Sequence, residues 1–503
     1  MFDANQDQSA SKTEASRDRP AYAGRLLAVS FECWSLTAAA FVVAAVLLAS
    51  AGTAVATDRG PTPEQGNSPP PASNEPPPPA AEPATSDQAT PQAWAVHGQS
   101  TLVWQLQPAF RSPYQGAQSL PSPANGRETF DATIYAGLRP WKGAEIWINP
   151  EIDQGFGLGN SFGVAAYLSG EAYKLGNKDP YYRMARAFFR QTIDLGGATE
   201  KVDADLNQLG GSQTANRVVL TAGKIAVVDI FDTNKYAHDP RVDFLNWAIL
   251  DLGSFDYAAD AWGATYGAAA EWYQGRYAAR VGVFDMSDVA NGTQLSLPLF
   301  HQTQFAAELE ERHTLWDQPG KLKVLYWLTR ANMGTYIDAL TQGAATGQTP
   351  SVDSVANYRS KYGVGFNLEQ QLTPDLGMFA RAGWSQGAVQ EYDFTDINQT
   401  VSGGFSLAGT RWGRPDDTMG LAGVISQISP AGRQYLAAGG LGGIIGDGQL
   451  PKAGPEEVLE TYYSAAVFSF AHVTADYQFV NNPAYNLQRG PVSVFALRLH
   501  AEF

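Results

Sequence analysis

Residues 494–503 read Val-Phe-Ala-Leu-Arg-Leu-His-Ala-Glu-Phe. Phe495, Leu497, Leu499, Ala501 and Phe503 fall on one side of an extended chain, and Val494, Ala496, Arg498, His500 and Glu502 fall on the other. Successive side chains of a β-strand point to opposite faces, so the two sets meet different surroundings. One side suits lipid and the other suits water. A strand of this kind that ends on an aromatic residue has the form of the signal read by the outer-membrane assembly machinery, so Phe503 is expected to engage it.

The same period of two recurs upstream. Tyr362, Val364, Phe366 and Leu368 oppose Gly363, Gly365, Asn367 and Glu369. Val473, Ala475, Tyr477 and Phe479 oppose Thr474, Asp476 and Gln478. Ile146, Ile148 and Ile152 oppose Glu145, Trp147, Asn149, Glu151 and Asp153. Each segment alone would also fit a soluble sandwich. Together they predict an all-β fold, a transmembrane antiparallel β-barrel of about 16 strands, with short periplasmic turns and long outer loops. The strands are expected near 98–107, 129–139, 143–152, 182–194, 216–227, 263–274, 276–285, 301–313, 321–331, 357–371, 376–386, 398–409, 416–427, 457–469, 472–480 and 491–503. One connection breaks the rule: Leu195 to Ala215 is long on the side where turns should be tight.

Composition agrees with this class. Of 503 residues only 17% are charged and 12% are aromatic, and mean hydropathy is −0.23. A bundle of membrane helices would be far more apolar, whereas barrel strands average a lipid face with a wet one. The net charge of −16 argues against a nucleic-acid partner.

The front of the chain is different. Arg17, Arg19 and Arg25 precede an uncharged run from Cys33 to Thr57 that contains Ala54-Val55-Ala56, an A-x-A cleavage pattern. Residues 1–56 are read as a signal peptide with a long polar leader, residues 57–93 as a Pro-rich disordered spacer, and residues 94–503 as the outer-membrane barrel. The single cysteine, Cys33, lies in the segment expected to be removed, as suits an oxidising compartment. The expected location is the outer membrane of a Gram-negative bacterium, in contact with its lipid.

The third outer loop, about Asp229 to Trp262, is densely aromatic and acidic. A purely external loop has no need of Phe231, Phe244 and Phe255, so it is expected to fold inward and narrow the lumen. Its candidate constriction residues are Asp232, Tyr236, Asp239, Arg241, Asp243, Trp247 and Asp256. Candidate lumen residues on the strands are Glu151, Asp153, Arg186, Arg190, Arg276, Arg280 and Arg381, with Arg498 and Lys224 also in phase. Guanidinium donors and carboxylate acceptors make strong hydrogen bonds to hydroxyls. Aromatic rings stack on sugar rings, and a conducting lumen must avoid tight binding. This chemistry suits polyols. Charge alone also lines general channels, so an unselective or structural barrel stays open as an alternative.

Enzyme signals are thin. Gly159-Asn160-Ser161-Phe162-Gly163 matches the G-x-S-x-G nucleophile pattern, but no helix follows it, which leaves a barrel hydrolase as a distant alternative. Six scattered histidines show no metal-ligand spacing, and nothing calls for a cofactor or metal.

Several stretches carry a family resemblance. They are Pro150-Glu-Ile-Asp-Gln-Gly-Phe-Gly157, Arg190-Gln-Thr-Ile-Asp-Leu-Gly-Gly197, Asp229-Ile-Phe-Asp-Thr-Asn-Lys-Tyr-Ala-His-Asp-Pro-Arg241, Asp243-Phe-Leu-Asn-Trp247, Asp256-Tyr-Ala-Ala-Asp-Ala-Trp262, Trp412-Gly-Arg-Pro-Asp-Asp417 and Asn482-Pro-Ala-Tyr485. In these the chain resembles the carbohydrate-selective porin family (OprB-type) from about residue 98 onward. The resemblance implies a 16-stranded barrel, monomer-like with a trimer left open, that passes small carbohydrates, glucose-like ones first, into the periplasm. The Gly-Asp-Trp-Gly-rich opening of the better-known glucose porins is missing here, and the Pro-rich spacer is extra.

Overall fold

In the computed structural model, residues 91–172 and 176–503 are described. The expected signal peptide and nearly all of the expected spacer lie outside these residues. The strands are β1 (Trp94–Gln107), β2 (Asn125–Leu138), β3 (Ala144–Gly155), β4 (Asn177–Val202), β5 (Gly211–Ile225), β6 (Thr265–Gln274), β7 (Tyr277–Asp285) and β8 (Thr303–Leu315). They continue as β9 (Gln318–Met333), β10 (Asn357–Thr373), β11 (Leu376–Ser385), β12 (Gln399–Ala408), β13 (Thr418–Gln427), β14 (Glu456–Phe468), β15 (Ala471–Asn481) and β16 (Val492–Glu502). Each pairs antiparallel with its sequence neighbours, and β1 pairs with β16 from Gln99↔Glu502 to Leu106↔Phe495, which closes the barrel. Closure leaves no unpaired edge, the condition for a sheet to cross a bilayer.

Alternation sorts the side chains as the pattern predicts. In β16, Phe495 is 49% exposed and Arg498 is 1% exposed. Trp94, Trp141, Trp272, Tyr277, Trp316 and Phe468 stand exposed around the turn end of the barrel, and Trp104, Tyr182, Tyr266, Tyr358 and Trp384 around the loop end. Aromatic girdles of this kind sit at the two membrane–water interfaces. One of the two-residue turns joins β8 to β9 through Trp316 and Asp317, both at positive φ (53° and 58°). That is the backbone a two-residue hairpin demands.

One expectation is corrected. The long connection at Leu195–Ala215 is mostly strand: β4 runs on to Val202 and β5 starts at Gly211, leaving only residues 203–210 as turn. The segment was hard to recognise because it has no lipid face. Its two strands pair with each other, so an alternating apolar pattern is not required.

The interior is filled by the third outer loop, residues 226–264, in which Phe231, Phe244, Leu245 and Ile249 are fully buried. Inward charges of the strands hold its backbone. Arg381 on β11 donates to the Asp232 carboxylate (3.1 Å) and to the carbonyls of Asp232 (3.1 Å), Ala237 (2.8 Å) and Ile249 (3.0 Å). Glu308 on β8 accepts from Asp232 N (2.9 Å), and Glu369 on β10 accepts from Lys235 N (2.9 Å). Glu460 on β14 accepts from Asn246 N (3.0 Å), and Arg498 on β16 donates to Asp243 O (2.8 Å). Backbone groups buried away from water need such partners, and these strands supply them.

Breaking a buried charge pair by removing one partner costs on the order of 3–5 kcal/mol. Arg381→Ala is therefore expected to unseat the loop while the hydrogen-bonded barrel stays closed. The measurements are heat-modifiable migration, unchanged, and single-channel conductance, raised. Wild-type conductance in the variant would show that the loop is held by other means.

Candidate functional site

Two cavities lie along the barrel, one on each side of the third loop. The outer one, about 200 Å³, is lined by Glu151, Arg183, Arg186, Asp239, Arg241, Trp262 and a group of aromatic rings. The inner one, about 1140 Å³, is lined by Arg139, Glu145, Phe188, Arg190, Arg217, Glu271, Tyr273 and Arg280. Only Asp229 and His238 line both. The narrow point between them is therefore built from these two residues and their partners.

Asp229 sits where β5 gives way to the third loop. Arg186, on the adjacent β4, donates to both of its carboxylate oxygens (2.7 and 2.6 Å). Burial works against the charged Asp229 carboxylate, but Arg186 outweighs it and holds the pKa below the usual carboxylate range. Across from it, His238 Nδ1 lies 3.5 Å from Asp251 Oδ1. Burial pushes the His238 imidazole down, and Asp251 pushes it up by more, so its pKa is raised above 6.5. Within the same loop Asp243 accepts from the backbone N–H groups of His238 (3.1 Å) and Asp239 (3.3 Å). Burial and the charge of Asp239 raise Asp243 to about 6.

Above this point the outer cavity has a polar wall and an aromatic wall. On the polar side Arg183 binds Glu151 and Asp153, the latter at 2.5 Å. Arg241 reaches Asp131 (3.5 Å), Glu171 (3.6 Å) and Glu151 (3.8 Å). On the aromatic side Trp247 stacks on Phe394 (5.0 Å between centroids) and on Tyr257 (6.0 Å), with Tyr167 edge-on to it at 5.5 Å. Offset and edge-to-face pairs of this spacing are favourable, so the rings form one preset surface. Asp256 keeps it together by accepting from the backbone N–H groups of Asp393 (2.9 Å) and Phe394 (2.8 Å) in the sixth outer loop.

The sequence candidates divide into three groups. Glu151, Arg186, Asp239, Arg241 and Trp247 line the outer cavity, and Arg190 and Arg280 line the inner one. Asp153 sits behind Glu151 as a partner of Arg183. The rest are placed elsewhere. Arg276 is exposed in the β6–β7 turn beside Glu311 (3.7 Å), because it precedes the first paired residue of β7 and so escapes the inward phase. Arg381 faces inward, but the loop covers it completely. Asp232, Asp243 and Asp256 turn their carboxylates onto backbone N–H groups, and the Tyr236 ring lies against Gly377 of the barrel wall.

Arg183, Tyr167 and Phe394 were missed. Arg183 stands three residues before Arg186, at an odd spacing that strict alternation sends outward. A bulge at Ala185 of β4, opposite Asn149 and Pro150 of the partner strand, shifts the register there and turns both inward. Tyr167 and Phe394 lie in loops, where no period marks a face. Ser161 of the G-x-S-x-G stretch lies in a short 3-10 turn of the second outer loop.

No curated protein sequence matches the chain. Among solved structures the chain is similar to Pseudomonas putida OprB, in its high-pH structure, with a TM-score of 0.63 and 16% identity over 82% of this chain and 94% of that one. It is also similar to the outer membrane channel DcaP of Acinetobacter baumannii, with a TM-score of 0.47 and 8% identity over 82% of this chain and 97% of that one. At these identities the likeness to Pseudomonas putida OprB concerns the fold, and it agrees with the closed barrel of sixteen strands. The sequence itself matches the carbohydrate-selective porin, OprB family over residues 120–503. The chain therefore belongs to that family, and it is a sugar porin of the Gram-negative outer membrane.

Proposed function

We propose that the chain gives passive diffusion to single sugar rings of the glucose type, along a path through the outer cavity, past Asp229 and His238, and into the inner cavity. The observation that carries this is the pairing of an aromatic wall with a polar wall across about 200 Å³. That is below the roughly 300–1,000 Å³ of sites for drug-sized ligands. The rings of Trp247 and Phe394 suit the apolar face of a sugar, while Arg186, Arg241 and Glu151 suit its hydroxyls. Each of these charges is already paired, so hydroxyls can exchange partners without being trapped, as conduction requires. The loop that narrows the path is held by strands and neighbouring loops of its own barrel, which supports a working monomer.

A liposome-swelling series tests this reading. Monosaccharides are expected to enter faster than disaccharides, and equal rates for both would overturn it. Stacked rings are worth about 0.5–1.5 kcal/mol. Trp247→Leu is accordingly expected to weaken sugar block of the ion current by roughly two- to tenfold.

His238 adds a pH dependence. Its raised pKa means that the folded loop favours the protonated imidazole. The resulting stabilisation is complete below pH 6.5 and is lost as pH rises through the raised value. Facing groups are Asp251, Asp232 and Arg381, with Asp229 and Arg186 across the narrow point. As pH falls through this window the path gains one positive charge, so the reversal potential under a salt gradient should move toward anion preference. His238→Gln should flatten that curve; an unchanged curve in the variant would assign the titration to another group.

We also read Phe503 as the assembly signal. It is 80% exposed at the periplasmic rim, and its backbone pairs with Gly98 in both directions at 2.9 Å. Deleting Phe503 is expected to lower the amount of heat-modifiable barrel in the outer membrane while leaving total synthesis unchanged.

A further inference from the structure

Beyond Gln191 on β4 and Arg217 on β5, neither strand has a barrel neighbour. The two continue paired only with each other, down to Val202↔Gly211. This two-stranded ribbon projects on the periplasmic side. Run straight, the six steps from Gly196 to Val202 would carry its turn about 20 Å away from the rim. The ribbon is not straight. The ladder is interrupted on both sides of Gly196, and Gly196 and Gly197 take φ of 98° and 90°. No atom lies within 4 Å of where a Gly196 Cβ would stand, so backbone conformation, not crowding, is what calls for glycine there.

The tip returns to the barrel. Arg190 on the inner wall donates to Asn207 O (2.8 Å), and Arg139 in the β2–β3 turn donates to Gly210 O (3.0 Å) and Leu209 O (3.2 Å). Gln92, just before β1, exchanges two hydrogen bonds with Gly210, each 3.0 Å. Leu209 is 0% exposed. The ribbon thus folds back against the barrel and is latched beside its own base, to the β2–β3 turn and to the residue before β1. Its residues Leu206, Gln208 and Thr214 line the same cavity of about 1140 Å³ as Ile230 and Thr233 of the third loop. The inner cavity is a chamber bounded by the loop at one end and by the ribbon at the other.

We propose that this ribbon is a second, periplasmic selectivity element: it limits the size of solute that leaves the chamber and retains a sugar there after it has passed Asp229 and His238. The retained solute being a carbohydrate rests on the function proposed above; the size limit does not. The chamber is nearly six times the volume of the outer cavity. A solute that has cleared the narrow point therefore has room to turn, and the ribbon is what it meets next.

The test uses the full-length porin in planar bilayers, with uncharged polyethylene glycols of graded size or glucose added from one side at a time. One variant replaces residues 195–216 by Asn-Gly, joining ladder neighbours Asp194 and Arg217. A second, Arg139→Gln with Gln92→Ala, keeps every strand and loosens the latch, with the loss of the Arg139–Glu145 ion pair (3.2 Å) as well. Both are expected to raise the polymer size admitted from the periplasmic side and to leave the size admitted from the outer side unchanged. The on-rate of glucose block from the periplasmic side should rise several-fold. An unchanged periplasmic size limit in the latch variant, or in the shortened one where it folds, overturns the proposal. If the wild type shows no glucose block from either side while the size limit still moves, the carbohydrate reading fails and the ribbon stands as a size filter.

Discussion

Hydrocarbon offers no hydrogen bonds, and every other feature of this protein follows from that. A backbone N–H or C=O left unpaired in the bilayer costs several kcal/mol, so the sheet must close on itself. The β1–β16 ladder meets the requirement with eight residue pairs in register. Closure fixes the diameter, and a barrel of sixteen strands is too wide to fill with its own side chains. Something else must occupy the interior, and here it is the third loop. That loop brings backbone groups of its own into a region with little water, and they too must be paired. The inward charges of β8, β10, β11, β14 and β16 are largely committed to this task.

This explains which parts were legible from the residues. Period two is imposed directly by lipid on one face and polar surroundings on the other, so Phe495 and Arg498, or Ile148 and Asn149, declare their sides without further information. All sixteen strands could be located, with most ends displaced by a few residues and the ends of β4 and β5 by five to eight on the ribbon side. Alternation says nothing about what lies opposite an inward residue. Arg190 and Arg381 have the same local signature, yet one borders the inner chamber and the other is sealed beneath the loop. The difference depends on the path of residues 226–264, which no local pattern encodes. The β4–β5 ribbon was illegible for a related reason: beyond the rim there is water on both faces, and the periodic signal vanishes although the strands continue.

The net charge of −16 gives little hint of the interior. Inside, opposite charges are matched locally: Arg186 with Asp229, Arg183 with Glu151 and Asp153, Arg280 with Glu271, Glu308 and Glu310. A sugar carries no charge, and a long unbalanced field would draw in ions and give it no advantage. Paired charges present dipoles at short range and little potential at long range.

The aromatic surface beside the outer cavity is assembled from three separate loops: Tyr167 from the second, Trp247 and Tyr257 from the third, Phe394 from the sixth. Asp256 grips the backbone of the sixth loop, and Trp247 N donates to Tyr167 O of the second, so the rings are held together. Loops accept substitution far more readily than the strands that carry them. The palate of this barrel can therefore be rewritten one loop at a time, by descent or by design, with the membrane-spanning wall left as it is.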